Sequence, residues 1–282
     1  RRDDPGVPSG IVMMEALLAL AAGLLIGSFL NVCIYRMPRD ISVVRPRSFC
    51  PSCEHPIAWY DNVPVLSYIS LGGRCRKCRE PIPIRYPVVE MLTGLLFFGI
   101  VLVHGPSLAA LKQCVFAALI VGLIFSDLEQ RILPDEFTLG GVALGILFAA
   151  FVPFESGLLA LVLPQGWGPV WVSITQAVLG AGVISSVLWL VGVFYKHLRK
   201  REGLGLGDVK MVAMIGAFLG LHGALLTVVL GSVIGSVLGL GYILLTRKDA
   251  STYELPFGTF LGVAALVCGP FGKQLAAWIQ GG

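Results

Sequence analysis

The sequence predicts an all-α, polytopic membrane protein. Its 282 residues are 56% hydrophobic and only 13% charged, and the mean hydropathy is +0.82. Soluble domains carry about 25% charged residues, so this composition excludes an ordinary soluble protein. The long apolar runs lack the alternation of polar and apolar residues that a membrane β-barrel requires. A bundle of membrane-spanning helices is therefore the favoured fold class.

The apolar runs define about eight predicted spans, of which the sixth is short. A spanning helix needs about 20 mainly apolar residues. The runs that approach this length lie at 13–35, 87–103, 109–126, 136–153, 172–195, 209–221, 223–245 and 256–279. This pattern divides the chain into four parts: a tail or a remnant of the expression vector at 1–12, a first transmembrane helix at 13–35, an extramembrane segment at 36–86, and a seven-helix membrane core at 87–279.

The distribution of basic residues orients the spans. Most of the 21 lysine and arginine residues fall on the side that holds residues 36–86, and only Arg1, Arg2 and Lys273 fall on the other. Cytoplasmic loops are enriched in lysine and arginine. Residues 36–86 are therefore predicted to be cytoplasmic, with both termini outside. The basic run KHLRKRE at 196–202 is explained first as part of the same signal.

The predicted cytoplasmic segment contains two CxxC pairs, Cys50-Pro-Ser-Cys53 and Cys75-Arg-Lys-Cys78. At this spacing four thiolates can surround Zn²⁺ tetrahedrally. Two disulfides are the alternative, but the cytoplasm is reducing and favours thiolate ligation. Four protein ligands leave no open position for a catalytic water, so the predicted zinc is structural.

Two aspartates stand at predicted span ends. Asp127 closes the third span in IVGLIFSDLEQRILPDEF, and Asp208 opens the sixth in EGLGLGDVKM. Ionisable residues in membrane segments are candidates for function. Asp208 also fits a helix N-cap, whereas Asp127 faces the negative end of its helix dipole and has no such explanation. Asp135 and Glu136 follow Pro134 at the start of the fourth span, and we interpret them mainly as caps.

Two carboxylates at one membrane depth suit an aspartyl hydrolase. One ionised carboxylate activates water, and a protonated one polarises the scissile carbonyl and donates to the leaving amine. Helix dipoles favour Asp208 as the base and Asp127 as the acid. Gly205 and Gly207 would allow positive φ and close approach of a peptide beside Asp208. The glycine stretch lacks the features of a nucleotide-binding loop, and we expect no nucleic-acid partner.

A family resemblance is carried by Gly205-Leu206-Gly207-Asp208, which resembles the GxGD motif of intramembrane aspartyl proteases, and by the following Val209-Lys210, which resembles the prepilin peptidase version. Further stretches are similar to that family in the same order: GSFLNVCIYRMP at 27–38, the paired CxxC segment, RYPVVEMLTG at 85–94 and DLEQRILPD at 127–135. From about residue 15 to the last span, the chain resembles a bacterial type IV prepilin peptidase of the zinc-containing, bifunctional kind.

The resemblance implies two activities at the cytoplasmic face of the bacterial inner membrane. The first removes the basic leader peptide from type IV prepilins or type II secretion pseudopilins, and the second methylates the new N-terminus with S-adenosylmethionine. The implied partners are these precursor proteins and the lipid bilayer. The implied site residues are catalytic Asp127 and Asp208, supporting Gly205, Gly207 and Lys210, and zinc ligands Cys50, Cys53, Cys75 and Cys78.

Glu90 is the acid that we associate with methylation, because it lies one turn into the second span and next to the zinc segment. A favourable charge near a helix N-terminus explains Glu90 equally well.

Two other classes of function remain open. A proton-coupled transporter can also use paired acids, although transport sites usually lie near the membrane midplane. A membrane scaffold built around the zinc segment would need neither aspartate. The predicted outside loop FESGLLALVLPQGWGP at 154–169 lies away from the candidate site.

Overall fold

A computed structural model describes residues 10–154, 166–200, 204–246 and 256–272. Several predicted features lie outside these residues: Arg1, Arg2 and Lys273, most of the loop at 154–169, the end of the basic run and the last part of the eighth span. The described residues form helices and turns without a named β-strand, and two isolated bridges occur in the cysteine-bearing segment.

Eight α-helices form the described structure. They are α1 (Gly10–Arg36), α2 (Leu66–Ser70), α3 (Arg85–His104), α4 (Leu108–Gln130), α5 (Asp135–Phe151), α6 (Pro169–Arg199), α7 (Leu206–Thr246) and α8 (Phe257–Cys268). Short 3₁₀ turns lie at Met37–Arg39 and Trp59–Asn62.

Five of these helices are long and apolar enough to cross a membrane, namely α1, α3, α4, α6 and α7. The all-α, polytopic membrane class is thereby confirmed. The count of eight spans stays a prediction, since α5 and α8 contain 17 and 12 described residues.

The predicted sixth and seventh spans both lie in α7, which is interrupted at Gly220. This residue has φ 72° and ψ −178°, outside the helical region. Glycine reaches positive φ without the steric penalty of a side chain. The break therefore falls at Gly220, close to the boundary expected from the apolar runs.

The chain divides into two compact units, residues 1–122 and 123–282. In the first unit, α1 packs along α3, and their backbones approach so closely that a Cβ on Gly27 would lie 2.6 Å from the Cα of Glu90. This unit also holds the two CxxC pairs. In the second unit, α7 contacts α5, α6 and α8. Buried Met211, Ile215 and Leu261 belong to its core.

Candidate active site and metal centre

Asp127 and Asp208 line one cavity of about 280 Å³ in the second unit. Asp127 lies in the last turn of α4, and Asp208 lies in the first turn of α7. The other lining residues are Gly205, Gly207, Lys210, Arg131, Ile132, Leu133 and Asp135. The fold thus brings to one cavity the two acids that the sequence places at separate span ends.

Asp127 is held by the first turn of α8. Its side chain is buried, and Oδ2 accepts hydrogen bonds from both the backbone N–H and the hydroxyl of Thr259, at 2.7 and 2.8 Å. The first amides of a helix carry partial positive charge. A second helix therefore supplies the donors that the C-terminal end of α4 cannot provide.

Thr259 is a residue that sequence reasoning missed. It lies 132 residues from Asp127 in the chain, so no local spacing relates the two. The available signal is the stretch Pro256-Phe257-Gly258-Thr259, in which a proline directly precedes a helix and a hydroxyl residue follows in the first turn.

Asp208 is the third residue of α7 and is not its N-cap. Its backbone N–H donates to the carbonyl of Gly205 at 3.1 Å. The Asp208 carboxylate also lies beside Gly205, where an added Cβ would be 3.3 Å from Oδ2. The carboxylate also accepts a hydrogen bond from the backbone N–H of Gly205, so a capping role from the third helical position accounts in part for an aspartate here.

The expectation of positive φ at Gly205 and Gly207 is wrong, because neither is among the glycines with positive φ. What these glycines provide is space. A Cβ on Gly207 would lie 3.2 Å from the Leu133 side chain, which is tight for a carbon–carbon contact. The absence of side chains lets the start of α7 approach Leu133 at the cavity wall.

Lys210 forms an ion pair with Asp135. Its Nζ lies 2.7 and 2.9 Å from the two carboxylate oxygens. Asp135 and Glu136 do lie in the first turn of α5, but the N-cap is Pro134 and no side chain caps this helix. The cap interpretation is therefore wrong for Asp135, which joins α5 to α7. Both partners are substantially exposed, so the pair positions Lys210 more than it stabilises the fold.

The four cysteines of the CxxC pairs converge in the first unit. All their Sγ atoms lie within 4.8 Å of one another, and among the described residues they are the group that could hold a metal. The Sγ atoms of Cys50 and Cys78 are 3.8 Å apart. A tetrahedral site with Zn–S distances of about 2.3 Å has edges of about 3.8 Å, so the donors fit zinc. All seven cysteines are free, in contrast to the disulfide alternative.

The two CxxC turns share one backbone design. In each, the N–H four residues after the first cysteine donates back to that cysteine's carbonyl, from Glu54 to Cys50 and from Arg79 to Cys75. Hydrogen bonds from the backbone amides of Cys78 and Lys77 lower the pKa of the Cys75 thiol to about 7. A backbone hydrogen bond from Glu80 lowers the pKa of Cys78, but burial and the other three thiols outweigh it and raise that pKa to about 12. In the metal-free cluster Cys75 is therefore the thiol that ionises before Cys78.

Comparison with known proteins gives two family matches. The Bacterial Peptidase A24 N-terminal domain matches residues 21–104, and the Type IV leader peptidase family matches residues 114–240. Three similar proteins, each named prepilin leader peptidase/N-methyltransferase, come from Aeromonas hydrophila, Myxococcus xanthus and Neisseria gonorrhoeae. The Aeromonas protein is 33% identical and covers 95% of each chain. The Myxococcus protein is 41% identical over 85% of this chain and 66% of its own, and the Neisseria protein is 35% identical over 89% and 88%.

The chain belongs to the Type IV leader peptidase family. This confirms the resemblance, and the family is one of proteases. No solved structure matches the chain.

Glu90 in α3 contacts the segment that precedes α2. Its side chain is 7% exposed, and Oε2 accepts a hydrogen bond from the backbone N–H of Val65 at 2.7 Å. Val65 precedes α2 and has a positive φ of 60°, which is unusual for a β-branched residue. Glu90 follows the first turn of α3, beyond the strongest influence of the helix dipole. The contact therefore anchors the α2 segment to α3.

Proposed function

We propose that the protein is a prepilin leader peptidase in which Asp127 and Asp208 form the catalytic pair. The observation that carries this proposal is that both carboxylates line one cavity. Family membership supports the peptidase activity, and the names of the relatives support prepilins as substrates.

The cavity suits peptide hydrolysis by paired acids. One carboxylate takes a proton from water, and the water oxygen attacks the carbonyl carbon of the scissile peptide. The other, protonated acid polarises the carbonyl oxygen and then donates its proton to the nitrogen as the C–N bond breaks. Gly205 carries no side chain beside the Asp208 carboxylate, which leaves that carboxylate open to an extended peptide.

The charge pattern supports cleavage at the cytoplasmic face. The positive-inside rule puts the start of α7 and the end of α4 on the cytoplasmic side. The substrates are type IV prepilins or type II secretion pseudopilins, held with the enzyme in the bacterial inner membrane.

The zinc held by Cys50, Cys53, Cys75 and Cys78 has a structural role in this proposal. Four thiolates fill a tetrahedral coordination shell. The metal therefore fixes the two CxxC turns relative to each other and takes no part in peptide cleavage.

We assign the proposed methyltransferase activity to a second cavity, of about 350 Å³, in the first unit. Its volume lies within the range of about 300–1,000 Å³ that sites for small ligands occupy. Its polar lining includes Arg36, Arg47, Ser28 and Asn62, and guanidinium groups suit the carboxylate of S-adenosylmethionine. Arg36 is buried and is held by the carbonyls of Ser42 and Arg47. S-adenosylmethionine would supply the methyl group. Arg47 would bind its carboxylate, and Arg36 would hold the backbone of residues 42 and 47 in place.

The test is incubation of the purified full-length protein with a prepilin, with and without S-adenosylmethionine, followed by mass measurement of the product. We expect a leaderless product in both reactions and a further methyl group with the cofactor. Asp127→Asn and Asp208→Asn should each abolish cleavage, because one acid cannot supply both proton roles. Glu129→Gln is the matched control, since Glu129 is exposed two residues further along the same helix.

Each outcome discriminates between functions. Cleavage at the wild-type rate by either aspartate variant would refute the aspartyl mechanism. A protein that moves protons across vesicles in an Asp127-dependent manner but leaves prepilin intact would be a transporter. A protein whose cellular function survives the loss of both aspartates would be a scaffold.

A further inference from the structure

We propose that Thr259 is a positioning residue that holds Asp127 as the water-activating carboxylate, which makes Asp208 the proton donor of the pair. This inference rests on the proposed peptidase function. It reverses the assignment expected from the ends of α4 and α7 alone, because α8 contributes a third helix end.

Both donors of Thr259 act on the same oxygen of Asp127. The backbone N–H and the hydroxyl lie 2.7 and 2.8 Å from Oδ2, and both side chains are buried, with 8% of Thr259 and 6% of Asp127 exposed. Both donors bind an oxygen of an ionised carboxylate more strongly than an oxygen of a neutral carboxyl group, so the two hydrogen bonds favour the charged form. The arrangement therefore matches the charged form and directs Oδ2 toward α8.

The adjacent residue makes this close approach possible. A Cβ on Gly258 would lie 3.2 Å from both Cγ and Oδ2 of Asp127, so a larger residue here would crowd the carboxylate. Oδ2 is thus engaged by α8, and Oδ1 is the oxygen left to activate water.

The remaining charged groups of the cavity fit this assignment. Lys210 is engaged by Asp135, and the other cation lining the cavity is Arg131. Coulombic repulsion between Asp127 and Asp208 favours a state in which one of the two carboxyl groups holds a proton. Asp127 accepts hydrogen bonds from two donors, whereas Asp208 accepts one from a backbone N–H, that of Gly205, so this proton resides on Asp208.

A hydroxyl deletion tests the positioning role. Thr259→Val removes the hydroxyl at nearly constant shape and keeps the backbone N–H, while Thr259→Ser keeps both donors. We expect kcat for prepilin cleavage to fall about ten-fold or more in the valine variant, as for the loss of a hydrogen bond to a charged group. KM should stay within about two-fold, because the bond acts on the catalytic group and not on bound substrate. The serine variant should restore most of the lost kcat.

Three results would overturn the positioning role: an unchanged kcat in Thr259→Val, an equal loss in Thr259→Ser, or a loss expressed mainly in KM. Thermal unfolding of each variant separates this effect from misfolding. If the wild-type protein itself fails to cleave prepilin, the proposed function fails instead.

Infrared difference spectroscopy tests the proton assignment without any need for catalysis. At neutral pH, comparison of wild type with Asp127→Asn should reveal the loss of an ionised carboxylate band. Comparison with Asp208→Asn should reveal the loss of a protonated carboxyl band. The opposite pairing of bands would refute the assignment even if Thr259 affects kcat.

Discussion

The close contact between α6 and α7 predicts that Gly216→Ala destabilises the protein. Gly216 in α7 faces Gly180 in α6, and a Cβ added to Gly216 would lie 2.1 Å from the carbonyl oxygen of Gly180 and 2.3 Å from its carbonyl carbon. The obstructing atoms belong to the backbone of a long helix and cannot rotate away as a side chain does. The substitution must therefore push the two helices apart.

The change in the free energy of unfolding of Gly216→Ala is the difference between two opposing effects. Non-bonded atoms need more than about 3 Å, so the helices must separate by roughly 1 Å. Overpacking of this kind costs about 1–3 kcal/mol, against a gain of about 1 kcal/mol from replacing glycine by alanine within a helix. The difference is about 0–2 kcal/mol, and because the obstructing atoms are backbone atoms we expect a net destabilisation at the upper end, about 2 kcal/mol. Because α7 also carries Asp208, a shift of about 1 Å could reduce cleavage by as much as about 100-fold.

Thermal unfolding in detergent and the prepilin cleavage rate are the assays. Gly182→Ala is the matched control, because it lies on α6 and a Cβ there meets no atom within 4 Å. It should be neutral or stabilising and should cleave normally. Equal stability and activity of Gly216→Ala and wild type would show that the α6–α7 contact is not as close as described, and would refute the reasoning.

The remaining predictions concern the first unit. Cys75→Ser should lower the amount of bound zinc, measured by elemental analysis, and destabilise residues 36–86. Cys268→Ser, which lies outside the metal group, should keep the zinc. Full zinc content in Cys75→Ser would contradict the four-cysteine site. In chelator-treated protein, the rate of maleimide labelling of Cys75 should fall as the pH is lowered below about 7. The reason is that the pKa of Cys75 is lowered to about 7 and the thiolate is the reactive form. A labelling rate that changes only near pH 9 would refute this. Glu90→Leu should leave the Val65 N–H without its acceptor and destabilise the α2 segment by about 1–3 kcal/mol. The measurement is hydrogen exchange, which should become faster at residues 63–71. Glu90→Gln should lose less stability because it keeps an acceptor oxygen. Equal exchange in the leucine variant and wild type would show that the Glu90 contact does not anchor this segment.

Properties that depend on composition or on residues close together in the chain could be predicted from the sequence. Membrane insertion depends on the summed transfer free energy of consecutive residues, so composition and apolar runs suffice for the all-α membrane class. The two CxxC pairs are also predictable, because each pair is local and metal chemistry restricts which residues can serve as ligands. Ordered motifs along the chain likewise carry the resemblance to the leader peptidase family.

Features that depend on contacts between distant residues could not be predicted in the same way. The local position of Asp135 favours a cap, but Lys210 on another helix reaches its carboxylate. The glycine pattern favours positive φ at Gly205 and Gly207, yet close packing against Leu133 and Asp208 explains them. In each case, a tertiary contact overrides local propensity.

The sequence by itself determined the membrane class, the family and the types of residue available for chemistry, because these depend on composition and local order. Only the tertiary structure decided the surroundings of Asp127, because Thr259 lies 132 residues away. A helix dipole judged from α4 alone favours a protonated Asp127, whereas two donors from α8 favour the carboxylate. Electrostatic stabilisation at such short range depends on which atoms meet in space, and that is set by how the helices pack.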